Sequence, residues 1–260
     1  MNQAQRAEDR ESRYVVRAAA RVLDILDLLK YSSDGASLSE IASAVDLPKS
    51  SVFRYLATLE SRGYVEQDPD TSVYRFGVAL LVSHSRYRQF LAARAKPYLE
   101  KLRDRFQETI NLAVLDGNRI TYLEIVESQR AMRFAARPGD RDPIHSSALG
   151  KAIASTLDEA KVREILETEG MPRRTPHTIT DVDEVLAELE TVRRRGFALD
   201  NRENEEDGRC VAVPIPATAA PAALSLSAPA VRMSLEEVGE VAEALIAAAE
   251  ALADDLGVAG

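Results

Sequence analysis

Apolar positions in the first third of the chain recur at helical spacing and then shift to short β-like runs. In RAAARVLDILDLLKYSS, Val22, Ile25, Leu26 and Leu29 fall at i, i+3, i+4 and i+7, which predicts an amphipathic helix stopped by Gly35. In ASLSEIASAVDLP, Ser37 or Ser39 can cap a short helix that turns Ile41, Ala44 and Val45 inward. A tight turn over Asp46 to Pro48 precedes a helix in LPKSSVFRYLATLESRGYVEQ, where proline suits the first position because its missing N–H has no partner there anyway. Val52, Leu56 and Leu59 make the buried stripe of that helix; Lys49, Ser50, Phe53, Arg54, Ala57 and Thr58 lie away from it, and Gly63 ends it. Two β-like runs, Tyr64 to Gln67 and Val73 to Phe76, flank an Asp-Pro-Asp turn. Helix, short helix, turn, helix and hairpin in this order predict a winged helix-turn-helix.

Residues 77–93 read as a helix joining two domains, after which the pattern becomes mixed. INLAVLDGNRITYLEIVES reads as two strands about an Asp116-Gly117 turn. Helices are predicted in SALGKAIASTL, DEAKVREILETEG and DVDEVLAELETVRRRG, strands in FALDN, RCVAVPIP and AALSLSAP, and a closing helix from Leu235 to Leu256. The fold expectation is α+β, with a winged helix-turn-helix and N-terminal arm over 1–76, a linker helix over 77–93 and a sensor-like α/β domain over 94–260.

Composition narrows the function. No apolar run reaches the roughly 18 residues of a membrane span and the first residues lack a signal peptide's apolar core, so a cytoplasmic protein without membrane partners is expected. One cysteine and three histidines argue against a disulfide and a structural zinc site, and neither metal nor cofactor is expected. The net charge of −9, with 10 Lys+Arg against 12 Asp+Glu over residues 1–80, excludes indiscriminate coating of nucleic acid. DNA contact must come from local placement. Lys49, Ser50, Ser51 and Arg54 stand at the start of the second helix of the motif, where a helix enters the major groove, and Arg75 on the wing is placed to grip a phosphate. Arg10, Arg13, Arg17 and Arg21 also recur at helical spacing, as a DNA-facing arm or as a solvated helix face.

Strand parity selects a second site. If Val211, Val213 and Ile215 are buried beside Leu224 and Leu226, then Cys210, Ser225 and Ser227 share the opposite face, a small polar surface suited to a small ligand. In IHSSALGKAIAS, Ser146 or Ser147 caps a helix whose first N–H groups, near Ala148 to Gly150, would favour a carboxylate. Asp200 either accepts a ligand proton or caps a turn. Catalytic signals are weak: the Gly150-Lys151 pair lacks the flanking residues of a phosphate loop, and a Cys210–His145 pair has nothing visible to activate the thiol. A small-molecule-binding enzyme with a helical interaction module is the alternative reading.

Across nearly its whole length the sequence resembles the IclR family of bacterial transcriptional regulators. The resemblance is carried by RVLDILDLL, LSEIASAVDLPKSSVFRYLATLESRGYVE and YRFG, then by IHSSALGKAIAS, TITD, ELETVRRRGFALDN, GRCVAVPIP and AALSLSAP. It implies a homodimer or dimer of dimers without catalytic activity, a GAF-like effector-binding domain, and effector contacts at Ala148, Leu149, Asp200, Cys210, Ser225 and Ser227. The expected partners are a pseudo-palindromic double-stranded operator and a small organic acid or related metabolite, in repression of catabolic or transport genes. The chain departs from the family pattern at Arg202 within DNRE, at Gly208, and at Ala228 within Ser227-Ala228-Pro229.

Overall fold

A computed structural model describes residues 16–257 other than 31, 33 and 34. The expected arm residues Arg10 and Arg13 lie outside the described residues. Two compact units, Met1–Tyr87 and Arg88–Gly260, divide the chain.

In the first unit, α1 (Arg17–Lys30) buries Ile25 and Leu29, with Val22 and Leu26 half-buried beside them. After β1 (Ala36–Ser37), α2 (Leu38–Ala44) is capped by Ser37. Its hydroxyl accepts from Glu40 N at 3.3 Å, and the Glu40 carboxylate accepts from Ser37 N at 2.8 Å. This reciprocal box satisfies two donors that a helix start leaves orphaned, and it decides between Ser37 and Ser39. Asp46, at φ 49°, turns the chain into α3 (Lys49–Glu60), whose N-cap is Pro48. Val52, Leu56 and Leu59 join Ile41, Val65 and Tyr74 in one core. The wing is β2 (Val65–Gln67) against β3 (Val73–Phe76), and β1 pairs with the other edge of β3. Two-residue β1 carries no periodicity, so nothing in the pattern announces it.

The helix expected over 77–93 runs on as α4 (Val78–Phe106), and the division between units falls at 87/88, within the span expected for the linker. The stripe continues through Leu91, Ala95, Leu99 and Leu102, all buried, and no turn residue interrupts it before Gln107, at φ 59°. Pro97 is accommodated within it.

The second unit is built on an antiparallel sheet of order β6-β5-β4-β9-β8-β7. Its strands are β4 (Thr109–Asp116), β5 (Arg119–Val126), β6 (Arg141–Asp142), β7 (Ala198–Asn201), β8 (Gly208–Pro214) and β9 (Ala222–Pro229). The helices between and after them are α5 (Ala148–Ala154), α6 (Glu159–Glu169), α7 (Val182–Arg195) and α8 (Val238–Asp255). Register places Val211 opposite Leu226 and Val213 opposite Leu224, while Ile110 and Leu112 pair with Leu226 and Leu224. These residues form one apolar face, against which α8 packs. The second-unit part of α4 runs antiparallel to α8, tied by Arg94–Asp255 at 3.3 Å, Tyr98 Oη to Ala251 O at 3.3 Å and Arg105–Glu240 at 2.8 Å.

The other face is lined by Ala113, Ala198, Ala212 and Ala223, and these small side chains let α5 sit directly on the sheet. All seven α5 residues are buried. Gly150 is required by this closeness, since a Cβ there would lie 2.5 Å from Pro143 O and 2.6 Å from Ile144 Cα. The alanines cover only part of the face.

Candidate functional site

Two surfaces collect the residues singled out by sequence. On α3, Lys49, Ser50, Phe53, Arg54 and Ala57 are exposed and Ser51 is half-buried. Among the described residues neither Lys49 nor Arg54 has an ion-pair partner, so both cations face water. Arg75, on β3, lies 3.8 Å from Asp68. Arg17 and Arg21 lie on α1, and Arg21 donates to Asp24 at 3.3 Å.

The second surface is a cavity of about 510 Å³ over the sheet face that α5 leaves free. Register creates its floor: Asp200 pairs with Cys210, Cys210 with Ser227, and Ser227 with Thr109, so four neighbouring strands present one residue each at the same level. Asn111 stands one step further along β4, opposite Ser225. Its side-chain amide donates to Ser225 Oγ and to Ser227 Oγ, both at 3.1 Å, and the Cys210 thiol donates to Ser227 Oγ at 3.2 Å. With two hydrogen bonds already accepted, the Ser227 hydroxyl keeps its proton for the cavity.

Asp200 does two things at once. Its Oδ1 accepts from Glu203 N at 2.7 Å and Asn204 N at 3.2 Å, capping the turn between β7 and β8, while Oδ2 has no hydrogen-bond partner among the described residues. Burial is the largest influence on this carboxyl and pushes its pKa up to about 7, against the opposing pull of the Glu203 N–H and the Lys151 charge. Burial, followed by the Asp200 charge, also raises the Cys210 thiol well above its ordinary value, which makes it a hydrogen-bond donor and a poor nucleophile. His145 does not pair with it; its Nε2 lies 3.3 Å from Pro172 O, and burial lowers its pKa.

The turn is pinned from behind. Lys151 Nζ donates to Leu199 O and to Glu203 Oε1, the latter at 2.7 Å, while the Thr175 and Thr178 hydroxyls donate to Arg202 O and Glu203 O, each at 2.6 Å. Above the floor, Tyr122, Phe134 to Ala136 and Arg174 complete the wall. Tyr122 Oη donates to Asp142 at 2.9 Å, and Arg174 holds Asn204 O at 3.0 Å and Glu205 at 3.1 Å, with Asp142 at 3.7 Å. The deep end is thus neutral or acidic, and the Arg174 guanidinium supplies positive charge higher on the wall.

Residues 18–69 match the IclR helix-turn-helix domain, and residues 85–254 match the C-terminal domain of bacterial transcriptional regulator IclR. The chain belongs to the IclR family. It is 36% identical over 241 residues to the HTH-type transcriptional regulator BhcR of Paracoccus denitrificans, covering 91% of this chain and 86% of that protein. The HTH-type transcriptional repressor AllR of Salmonella typhi is 32% identical over 223 residues, 84% of this chain and 82% of its own. An IclR homologue from Microbacterium hydrocarbonoxydans, solved in complex with 4-hydroxybenzoate, superposes with a TM-score of 0.60 at 27% identity over 92% of this chain and 99% of its own. This IclR chain is therefore a DNA-binding transcriptional regulator and not an enzyme. No helix among the described residues is long and apolar enough to cross a membrane, and no group of three or more His, Cys, Asp or Glu among them is arranged to hold a metal.

Of the sequence-selected effector positions, Asp200, Cys210 and Ser227 line the cavity together, and Ser225 lies one layer below, buried and bonded to Asn111. Ala148 and Leu149 are not in the lining; they pack in the apolar cluster that Cys210 joins. Ser147, not Ser146, caps α5 by accepting from Gly150 N at 3.1 Å, and Ser146 donates to Asn204 at 2.9 Å. Arg202, at φ 68°, does not line the cavity, so it brings no charge to a ligand there. Sequence reasoning passed over Asn111, Tyr122 and Arg174. Parity was enough to find Asn111, since it interrupts an apolar strand in phase with Ala113. Tyr122 and Arg174 carried no comparable signal.

Proposed function

We propose that this IclR regulator represses catabolic or transport genes in the cytoplasm as a homodimer, or a dimer of dimers, on a pseudo-palindromic operator. In this reading the α3 starts enter successive major grooves, where Lys49, Ser50, Ser51 and Arg54 meet bases and phosphates, and Arg75 steadies the wing on the backbone. Two-fold symmetry of the protein then requires two-fold symmetry of the site. Repression is supported by the relationship to AllR, a repressor by name.

The effector we propose is a small carboxylic acid bearing a hydroxyl group. The observation that carries this is the polarity of the cavity: an unpaired Asp200 oxygen and a donating Ser227 hydroxyl on the floor, with Arg174 on the wall. The hydroxyl donates to Asp200, Ser227 donates to an oxygen of the ligand, and the carboxylate exchanges with the acidic partners of Arg174. Ala148 and Leu149 bound the floor from the side, packed on the same sheet face beside it, and Ser225 holds Asn111 in place. The 4-hydroxybenzoate bound by the Microbacterium relative has the same two functional groups. Calorimetric titration of 4-hydroxybenzoate and a panel of aliphatic hydroxy acids into the full chain, Ser227→Ala and Arg174→Gln tests the reading. A binding acid should lose affinity in both variants; undiminished affinity in both would place the ligand elsewhere.

A further inference from the structure

We propose that Phe53 reads the 5-methyl group of thymine in the operator, an inference that rests on α3 being the helix that enters the major groove. Phe53 is 53% exposed in the middle of a helix whose large aliphatic side chains, Val52, Leu56 and Leu59, are buried. Its ring is therefore available to a partner that approaches this side of α3. At 100° per residue it lies beside Ser50 and Ala57, one turn before and after it, with Arg54 next to it in sequence. The patch therefore combines an aromatic ring and a methyl group with a hydroxyl and a guanidinium.

The major groove offers one apolar feature, the thymine methyl, and phenylalanine is among the side chains suited to meet it. Lys49 and Arg54 on the same helix, exposed and without ion-pair partners among the described residues, fit a polyanion better than a second protein surface. Arg54 is suited to guanine, whose major-groove edge presents two acceptors, while Phe53 would exclude cytosine by leaving its amino group against a ring. The chain should therefore favour sites in which thymine stands close to the guanine read by Arg54.

The test begins with selection of a preferred site from random duplex DNA by the full chain. Each thymine of that site is then replaced singly by uracil, which deletes the methyl and leaves every hydrogen-bonding group in place. At one or more thymines uracil should weaken wild-type binding about three- to five-fold, the worth of one buried methyl, and the same exchange should leave Phe53→Ala unaffected. Uracil insensitivity of wild type at every thymine overturns the proposal while the DNA-binding reading stands. Failure of wild type to enrich any sequence overturns both. Loss of self-association in Phe53→Ala with unchanged thymine response would assign the ring to a contact between copies. Phe53 is exposed, so Phe53→Ala should fold as wild type does, and Phe53→Gln, which keeps bulk at that position without the ring, should show the same loss of uracil sensitivity.

Discussion

The Lys151 ammonium group lies 2.7 Å from the Glu203 carboxylate, and both side chains are almost wholly withdrawn from water. The pair joins α5 to the turn whose backbone N–H groups hold Asp200, so an ion pair outside the cavity sets the position of a group inside it. Removing one partner strands the other as a buried charge. Lys151→Met should therefore destabilise the protein by about 3–5 kcal/mol, whereas Lys151→Met with Glu203→Leu should recover most of the loss. Urea midpoints at unchanged slope measure both, and equal loss in the single and double variants would deny the pair its special cost.

Asp200 links the cavity to pH. Its carboxyl ionises near 3.8 when free and at about 7 when folded, so between these values the folded chain holds more protons than the unfolded one. Stability should therefore fall as pH rises from about 4 to about 7 and then level off, by roughly 4 kcal/mol in total at 1.36 kcal/mol per pKa unit. Asp200→Asn keeps an acceptor for the turn and cannot ionise, so its urea-unfolding curve should lack this decline. His145, whose pKa burial lowers, acts in the opposite sense but is common to both proteins and cancels in the difference. Parallel pH profiles for the two proteins would show that Asp200 ionises normally.

Gly150→Ala tests how tightly α5 lies on its surroundings. The added Cβ would meet Pro143 O, Ile144 Cα and Ser147 Oγ within 2.7 Å, two of them main-chain atoms with little freedom to yield. Overpacking of this kind costs about 1–3 kcal/mol. A thermal midpoint equal to wild type would show that α5 can shift without loss.

On DNA, Arg54→Ala should weaken binding to the preferred site by about 1–3 kcal/mol and leave random DNA nearly unaffected. Arg75→Ala should weaken both alike and lower the salt dependence, because a phosphate contact carries no sequence information. Titrations of fluorescent duplexes at several salt concentrations separate the two. Equal effects of Arg54→Ala on specific and random DNA would remove Arg54 from base readout.

The helix-turn-helix was legible because local spacing determines it: stripes at Ile25 and Leu29 and at Val52, Leu56 and Leu59 each bury one face of one helix. Strand parity was equally legible, and it placed Cys210 and Ser227 on one face because a one-residue slip would expose Val211 and Leu226. What escaped was everything set by long-range closure. That Arg174 and residues 134–136 close over the floor depends on where distant loops return, and no spacing encodes that. The α5 start illustrates the complementary error: its sequence suits an anion site, but the alanines that admit it to the sheet are on four other segments, and they bury it.

The hydrogen bonds that Ser227 accepts from Asn111 and Cys210 have a consequence for what the cavity can tell apart. Ser227 is left to give a proton, while the free Asp200 oxygen, once ionised, can only take one. A ketone and the alcohol made from it by adding two hydrogens have nearly the same shape, but the ketone set against ionised Asp200 opposes acceptor to acceptor, at a cost of about 1–3 kcal/mol. Below pH of about 7 the protonated carboxyl can itself donate, so discrimination between the two widens as the medium becomes alkaline. With the proposed hydroxy acid as effector, a site wired in this way would respond to the oxidation level of the metabolite as well as to its concentration.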